Sequence, residues 1–209
     1  MKYLVIPLCF LALTFSAAQT THEVQMLIQE GENGNEFYFE PVGLLVQLGD
    51  TVRFVGVTPH HNVVAYHPQQ AKTQRVPDGV PPFSSPLVPV GNTWEYTFNV
   101  GGTYDIWCAP HELWGMAMRV VVGEPGGPAE EPITDFGPGG VFGVASAILS
   151  DAALASDNIV SAKRVSWADL NPESKTQPVP SDEVVERFLE TYGPKTPEGE
   201  THEPGSHGE

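Results

Sequence analysis

The run Cys108-Ala109-Pro110-His111-Glu112-Leu113-Trp114-Gly115-Met116 puts a thiol, an imidazole and a thioether on one short loop. A second imidazole, His61, lies far upstream in the apolar stretch Thr58-Pro59-His60-His61-Asn62-Val63-Val64. Taken singly, a Cys or a Met is an ordinary core residue. Taken together the spacing constrains the fold. A strand must deliver Cys108, Pro110 stiffens the turn that brings His111 back, and Gly115 lets the backbone bend so that Met116 approaches from the side.

The surrounding pattern supplies the strands. Val24, Met26 and Ile28 alternate with polar residues, as do Trp94, Tyr96 and Phe98, then Tyr104, Ile106 and Cys108. A period of two predicts half-buried strands. Gly49-Asp50, Gly91-Asn92 and Gly101-Gly102 are turn signals between them, and Met116 to Val122 reads as the closing strand. Residues 68 to 90 hold Pro68, Pro77, Pro81, Pro82, Pro86 and Pro89. Proline removes a backbone donor, so this segment predicts an ordered, irregular loop with a short helical turn and no central strand. Short strands with regular turns predict a Greek-key sandwich or barrel.

The two ends of the chain differ from this middle. Residues 1–18 read as a secretory signal: Lys2, an apolar run from Leu4 to Leu13, then Ser16-Ala17-Ala18. The run is shorter than the roughly 20 residues a membrane span needs. Its removal takes Cys9 with it and leaves Cys108 as the lone thiol, either a reactive group or a ligand. After Gly123, Glu124-Pro125-Gly126-Gly127-Pro128 and Gly137-Pro138-Gly139-Gly140 read as a linker, residues 144 to 156 as an Ala-rich helix, and 181 to 192 as a capped amphipathic helix. Residues 194 to 209, with His202 and His207, read as a disordered polar end. The domains are thus 1–18, a strand-rich unit over 19–123, and an acidic extension over 124–209. On this reading a chain ending near Gly123 stays folded, unless the helix at 181 to 192 covers part of the barrel.

Charge narrows the partners. The chain carries 10 basic and 26 acidic residues, net −16, with 5 and 16 of them beyond residue 123. Such a balance argues against nucleic acid and anionic membrane surfaces. It suits basic partners or a high-salt setting alike.

Two imidazoles, a thiolate and a weak axial thioether make up the ligand set of a blue-copper centre. The Cys-x-x-His-x-x-x-x-Met spacing, the upstream His61-Asn62, Phe39-Glu40-Pro41, the run Val46 to Phe54 and the run Gly102 to Cys108 together resemble the cupredoxins of the plastocyanin, pseudoazurin and halocyanin type, over roughly residues 22 to 123. The resemblance implies an all-β Greek-key sandwich or barrel followed by a partly helical, partly disordered extension. It implies one type 1 copper per chain, held by His61, Cys108 and His111 with Met116 as the long axial ligand. Asn62 following His61 favours that residue over its neighbour His60, which would face the other way along a strand; His67 reads as a loop residue. Asn62 would tie the two ligand loops together and offer its N–H to the sulfur. Pro110 has no N–H to add a second such bond, which lowers the reduction potential relative to a two-bond site. Around His111, Pro59, Pro110, Leu113, Trp114 and Met118 would form an apolar surround, with Trp114 reading equally as a docking or a packed residue.

The implied function is an exported, monomeric electron carrier, periplasmic or extracellular. It would cycle between Cu(II) and Cu(I) and pass single electrons between a redox donor and an acceptor, such as c-type cytochromes or membrane oxidoreductases. It would have no substrate turnover, no nucleic-acid partner and no membrane span once the signal is removed. A copper storage or delivery protein is the alternative, and would show exposed Met- and His-rich segments. A copper enzyme would carry His-x-His pairs, which this sequence lacks. A metal-free relative would lack the ligands.

Overall fold

The computed structural model describes residues 19–31, 34–137, 139–175 and 186. The signal-like segment 1–18 and the polar end 194–209 lie outside the described residues, as does the helix expected over 181 to 192 apart from Glu186.

Two sheets face each other. One contains β1 (Thr21–Gly31), β2 (Gly34–Glu40), β4 (Thr51–Gly56) and β6 (Thr93–Thr97), in the order β2-β1-β4-β6. The other contains β3 (Gly43–Val46), β5 (Val64–Ala65), β7 (Gly102–Trp107), β8 (Ala117–Val122) and β9 (Arg164–Val165), in the order β5-β7-β8-β3-β9. β1 runs antiparallel to β2 and parallel to β4, while β3 runs parallel to β8. Sequential strands therefore change sheets, and inward-facing side chains from both layers make the core, as in other aligned sandwiches. Val24, Met26, Phe39, Phe54, Phe98 and Val120 are fully buried in it.

The alternation read from β1 is the one observed: Val24 and Met26 are buried, Glu23 and Gln25 exposed. Residues 68 to 90 form an ordered irregular loop. It opens on a single 3₁₀ turn, Pro68–Gln70, which His67 caps by accepting the Gln69 N–H, and it joins the sheets through the bridges His61–Val88 and Val64–Ser84.

β7 differs from the expectation of half-burial: every residue in it is buried, as is every residue of the closing strand β8. The cause lies beyond residue 123. The helices α1 (Gly143–Leu149) and α2 (Ser156–Ala162) pack over the outer face of the second sheet, β9 extends its edge, and α3 (Pro172–Lys175) lies against α1. The segment read as a linker is held by charge. Asp105 on β7 is fully buried between Arg75 and Arg119, at 2.7 and 2.8 Å. The two guanidinium groups have donors left over. Arg75 spends them on the Ala129 carbonyl at 2.8 Å and Arg119 on the Leu154 carbonyl at 3.1 Å. Gly43 on β3 admits this layer, since a Cβ there would lie 2.7 Å from the Leu154 side chain. Among the described residues no buried side-chain nitrogen or oxygen lacks a hydrogen-bond partner. No helix among them is long and apolar enough to cross a membrane.

Candidate metal centre

The loop after β7 is laced by its own backbone. His111 N–H donates to Cys108 O at 3.0 Å, Met116 N–H to His111 O at 3.1 Å, and Cys108 N–H to Met116 O at 3.0 Å. Glu112–Trp114 form a 3₁₀ turn that ends on Gly115 at φ 90°. That left-handed position suits glycine, and a Cβ there would lie 2.5 Å from Val144 of α1. The chain therefore turns tightly enough to return His111 and Met116 to the end of β7.

His61 arrives from the other loop, anchored by Val88 N–H donating to its carbonyl at 2.8 Å. His61, Cys108 and His111 are buried and converge. The donor atoms form a triangle: His61 Nδ1 to His111 Nδ1 is 3.1 Å, His111 Nδ1 to Cys108 Sγ is 3.6 Å, and His61 Nδ1 to Cys108 Sγ is 3.8 Å. A first-row metal ion about 2.0–2.3 Å from each of three such donors, at angles of about 100–120°, would set them about 3.1–3.8 Å apart. The triangle fits one ion. Met116 is fully buried on the same loop and belongs to the same core cluster as Cys108.

The structure brings His61, not His60, to the thiol. His60 occupies a bend at φ 68° and is exposed, so a turn rather than strand alternation separates the two rings. We expect His61→Ala to lose the native copper spectrum and His60→Ala to keep it; the reverse pair of spectra would move the ligand.

The groups around the donors orient them. His61 Nε2 is 2.8 Å from the Thr58 hydroxyl, which also accepts the Ile28 N–H at 2.7 Å. This contact leaves Nδ1 for a metal. Asn62 N–H reaches Cys108 Sγ at 3.5 Å, and Asn62 Oδ1 accepts the Ala109 N–H at 2.7 Å, so Asn62 does tie the two loops together. The His111 ring lies tilted against Phe37, with centroids 4.6 Å apart, and the Phe37 and Trp114 ring centroids are 5.5 Å apart. His111 is 8% exposed and Trp114 38%. Leu113 and Met118, expected beside His111 in the apolar surround, are fully buried. Thr58 and Phe37 carried no sequence signal: one is a lone hydroxyl in a turn, the other an aromatic on β2 that only the register brings here.

Burial sets the protonation of the donors. It depresses both imidazolium groups, His61 to about 4 and His111 to about 3, with nearby histidines adding to the effect, and it pushes the Cys108 thiol up to about 12 against the pull of the Asn62 N–H. The imidazoles are thus ready to coordinate at neutral pH, while metal uptake must displace the thiol proton. The sign of the stability effect follows. Both histidines bind protons less readily folded than unfolded, where the ordinary value is about 6.5. The metal-free protein is therefore expected to lose stability as pH falls from about 6.5 toward 4. Melting temperatures of metal-free and copper-loaded samples across that window check this; the loaded sample should fall less, because coordination opposes protonation.

The model of the copper-binding proteins of the plastocyanin/azurin family matches residues 24–123. Pseudoazurin of Paracoccus pantotrophus is 34% identical over 114 residues, which cover 54% of this chain and 71% of that protein. Chloroplast plastocyanin of Hordeum vulgare is 34% identical over 97 residues, covering 44% of this chain and 59% of that one. The crystal structure of native pseudoazurin from Hyphomicrobium denitrificans is 30% identical, covers 50% of this chain and 77% of that one, and superposes with a TM-score of 0.41. The fold and site define a cupredoxin, an all-β protein with a type 1 copper arrangement formed by His61, Cys108, His111 and Met116. The chain belongs to the plastocyanin/azurin family of copper-binding proteins, and its cofactor is copper.

Proposed function

We propose that this protein is an exported one-electron carrier. His61, Cys108 and His111 are its strong copper ligands and Met116 is the axial one. The observation that carries the reading is the buried donor triangle with one ligand ring, His111, reaching the surface beside Phe37 and Trp114. Bound copper supplies the one-electron couple. The chain supplies the rest: a thiolate and thioether suited to Cu(I), imidazoles suited to Cu(II), and a loop whose own hydrogen bonds hold one geometry for both. The buried donors exclude water, so the site favours electron passage over substrate binding. The His111 edge is the exit, and an apolar surround with acidic charge elsewhere suits a brief encounter with a basic redox protein such as a c-type cytochrome. The pseudoazurin and plastocyanin relatives support the carrier reading. We place the protein in the periplasm or outside the cell on the strength of the signal-like segment 1–18.

The test is optical. A copper-loaded sample should absorb strongly in the visible, bleach on uptake of one electron, and recover its colour when mixed with an oxidised c-type cytochrome in a stopped-flow cell. A colourless Cu(I) protein that surrenders metal to an acceptor faster than it exchanges electrons would establish copper delivery instead.

A further inference from the structure

The ligand loop carries a buried acid that the copper centre itself does not use. Glu112 follows His111 directly, opens the turn Glu112–Trp114 and is fully buried. Its carboxylate accepts from Lys72 Nζ at 2.6 Å and from the Tyr66 hydroxyl at 2.8 Å, and the side chains of both Lys72 and Glu112 are 0% exposed. Lys72 also donates to the Gly140 carbonyl at 3.2 Å and stands 4.6 Å from the Trp107 ring centre. The Phe142 N–H reaches Glu112 at 3.5 Å. Three segments remote in sequence therefore meet at one ion pair: the loop after β5, the ligand loop, and the start of the extension.

Such a pair is costly to bury, and an apolar pair of similar volume is often as stable or more so. Stability alone does not account for it. Its location does more. The Gly115 N–H donates to the Glu112 carbonyl at 2.8 Å, and Met116 N–H to that of His111, so a displacement of Glu112 passes to both ligands on the loop.

We propose that Lys72 and Glu112 are positioning residues for the metal centre: their ion pair clamps the ligand loop between the Lys72 loop and residues 140–144, and so fixes His111 and Met116. This rests on the reading of the site as a copper carrier, for which a fixed geometry keeps electron exchange fast. It gives the extension a part in the site, although it supplies none of the donors.

The experiment uses the full chain with Glu112→Gln, Lys72→Met, and both together. Leu154→Ala, buried in the extension and away from the loop, serves as a control for simple destabilisation. Hydrogen exchange of the His111, Gly115 and Met116 amides is followed in the metal-free protein, and the visible and EPR spectra in the copper-loaded one. In the single variants the loop amides should exchange about tenfold faster or more, the equivalent of one lost charge-assisted hydrogen bond, and the spectra should shift. The control should leave both unchanged. The double variant buries no lone charge, so it should recover melting temperature but neither loop protection nor the native spectrum, and it decides the matter if a single variant does not fold. Wild-type loop exchange and spectra in the double variant would overturn the proposal. A wild-type chain that takes up no copper would sink the carrier reading, and the metal-free exchange data would still judge the clamp.

Discussion

A chain ending at Gly123 is expected to be insoluble or loosely folded and to hold copper poorly beside the full chain, as thermal melts and copper retention would show. The expectation from composition was the opposite, because a run rich in proline and glycine reads as a linker. The structure buries Val141, Ile148, Leu154, Ile159, Val165 and Leu170 in the same hydrophobic clusters as the strands before residue 123. A side chain of this kind contributes about 1.5–3 kcal/mol when fully buried, against a total stability of about 5–15 kcal/mol for a typical domain. Losing several of them at once removes a margin comparable to the whole. Truncation also strips the carbonyl partners from Arg75 and Arg119, leaving buried cations short of acceptors beside Asp105. A Gly123-terminated protein that melts within a few degrees of the longer one would show that the outer layer is dispensable.

Cys108→Ser should abolish the intense visible band and weaken copper binding by more than about 100-fold, since losing even a group that only orients a ligand costs about 10–100-fold. A hydroxyl is not the soft donor that the band requires. The fold should survive. Serine is nearly the same size, and its oxygen would sit where the Asn62 N–H already points. Absorption, metal titration and a melting curve on one preparation separate these effects. A variant that stays intensely coloured would remove Cys108 from the ligand set.

What the sequence disclosed, and what it hid, divides along physical lines. The donors and most strands were legible because their signals are local: a fixed spacing on one loop, an alternation along β1, glycine at a turn. Preferring His61 to His60 matches the convergence seen here, yet the cause is a left-handed bend at His60, which no local pattern announces. The groups that orient the donors come from far away. Thr58 is held by Ile28, Phe37 reaches His111 only through the pairing of β2 with β1, and Lys72 meets Glu112 across 40 residues. The full burial of β7 was hidden for the same reason. Asp105 looks like the polar, outward member of an alternating strand until the arginines and the extension close over it.

The pairings of β3, parallel to β8 and antiparallel to β9, bear on how the molecule comes into being. Gly43 of β3 lies opposite Arg119 of β8, and Leu44 opposite Arg164 of β9. A strand made early in synthesis must wait for partners made near the end. Chains dominated by such distant contacts have a high contact order and fold slowly, because the entropy of closing long loops is lost before any pairing rewards it. His61 is made well before Cys108, and the segment against which the ligand loop rests is made later still. The complete donor set therefore exists only once distant parts of the chain have met, so the pocket is a late product of folding.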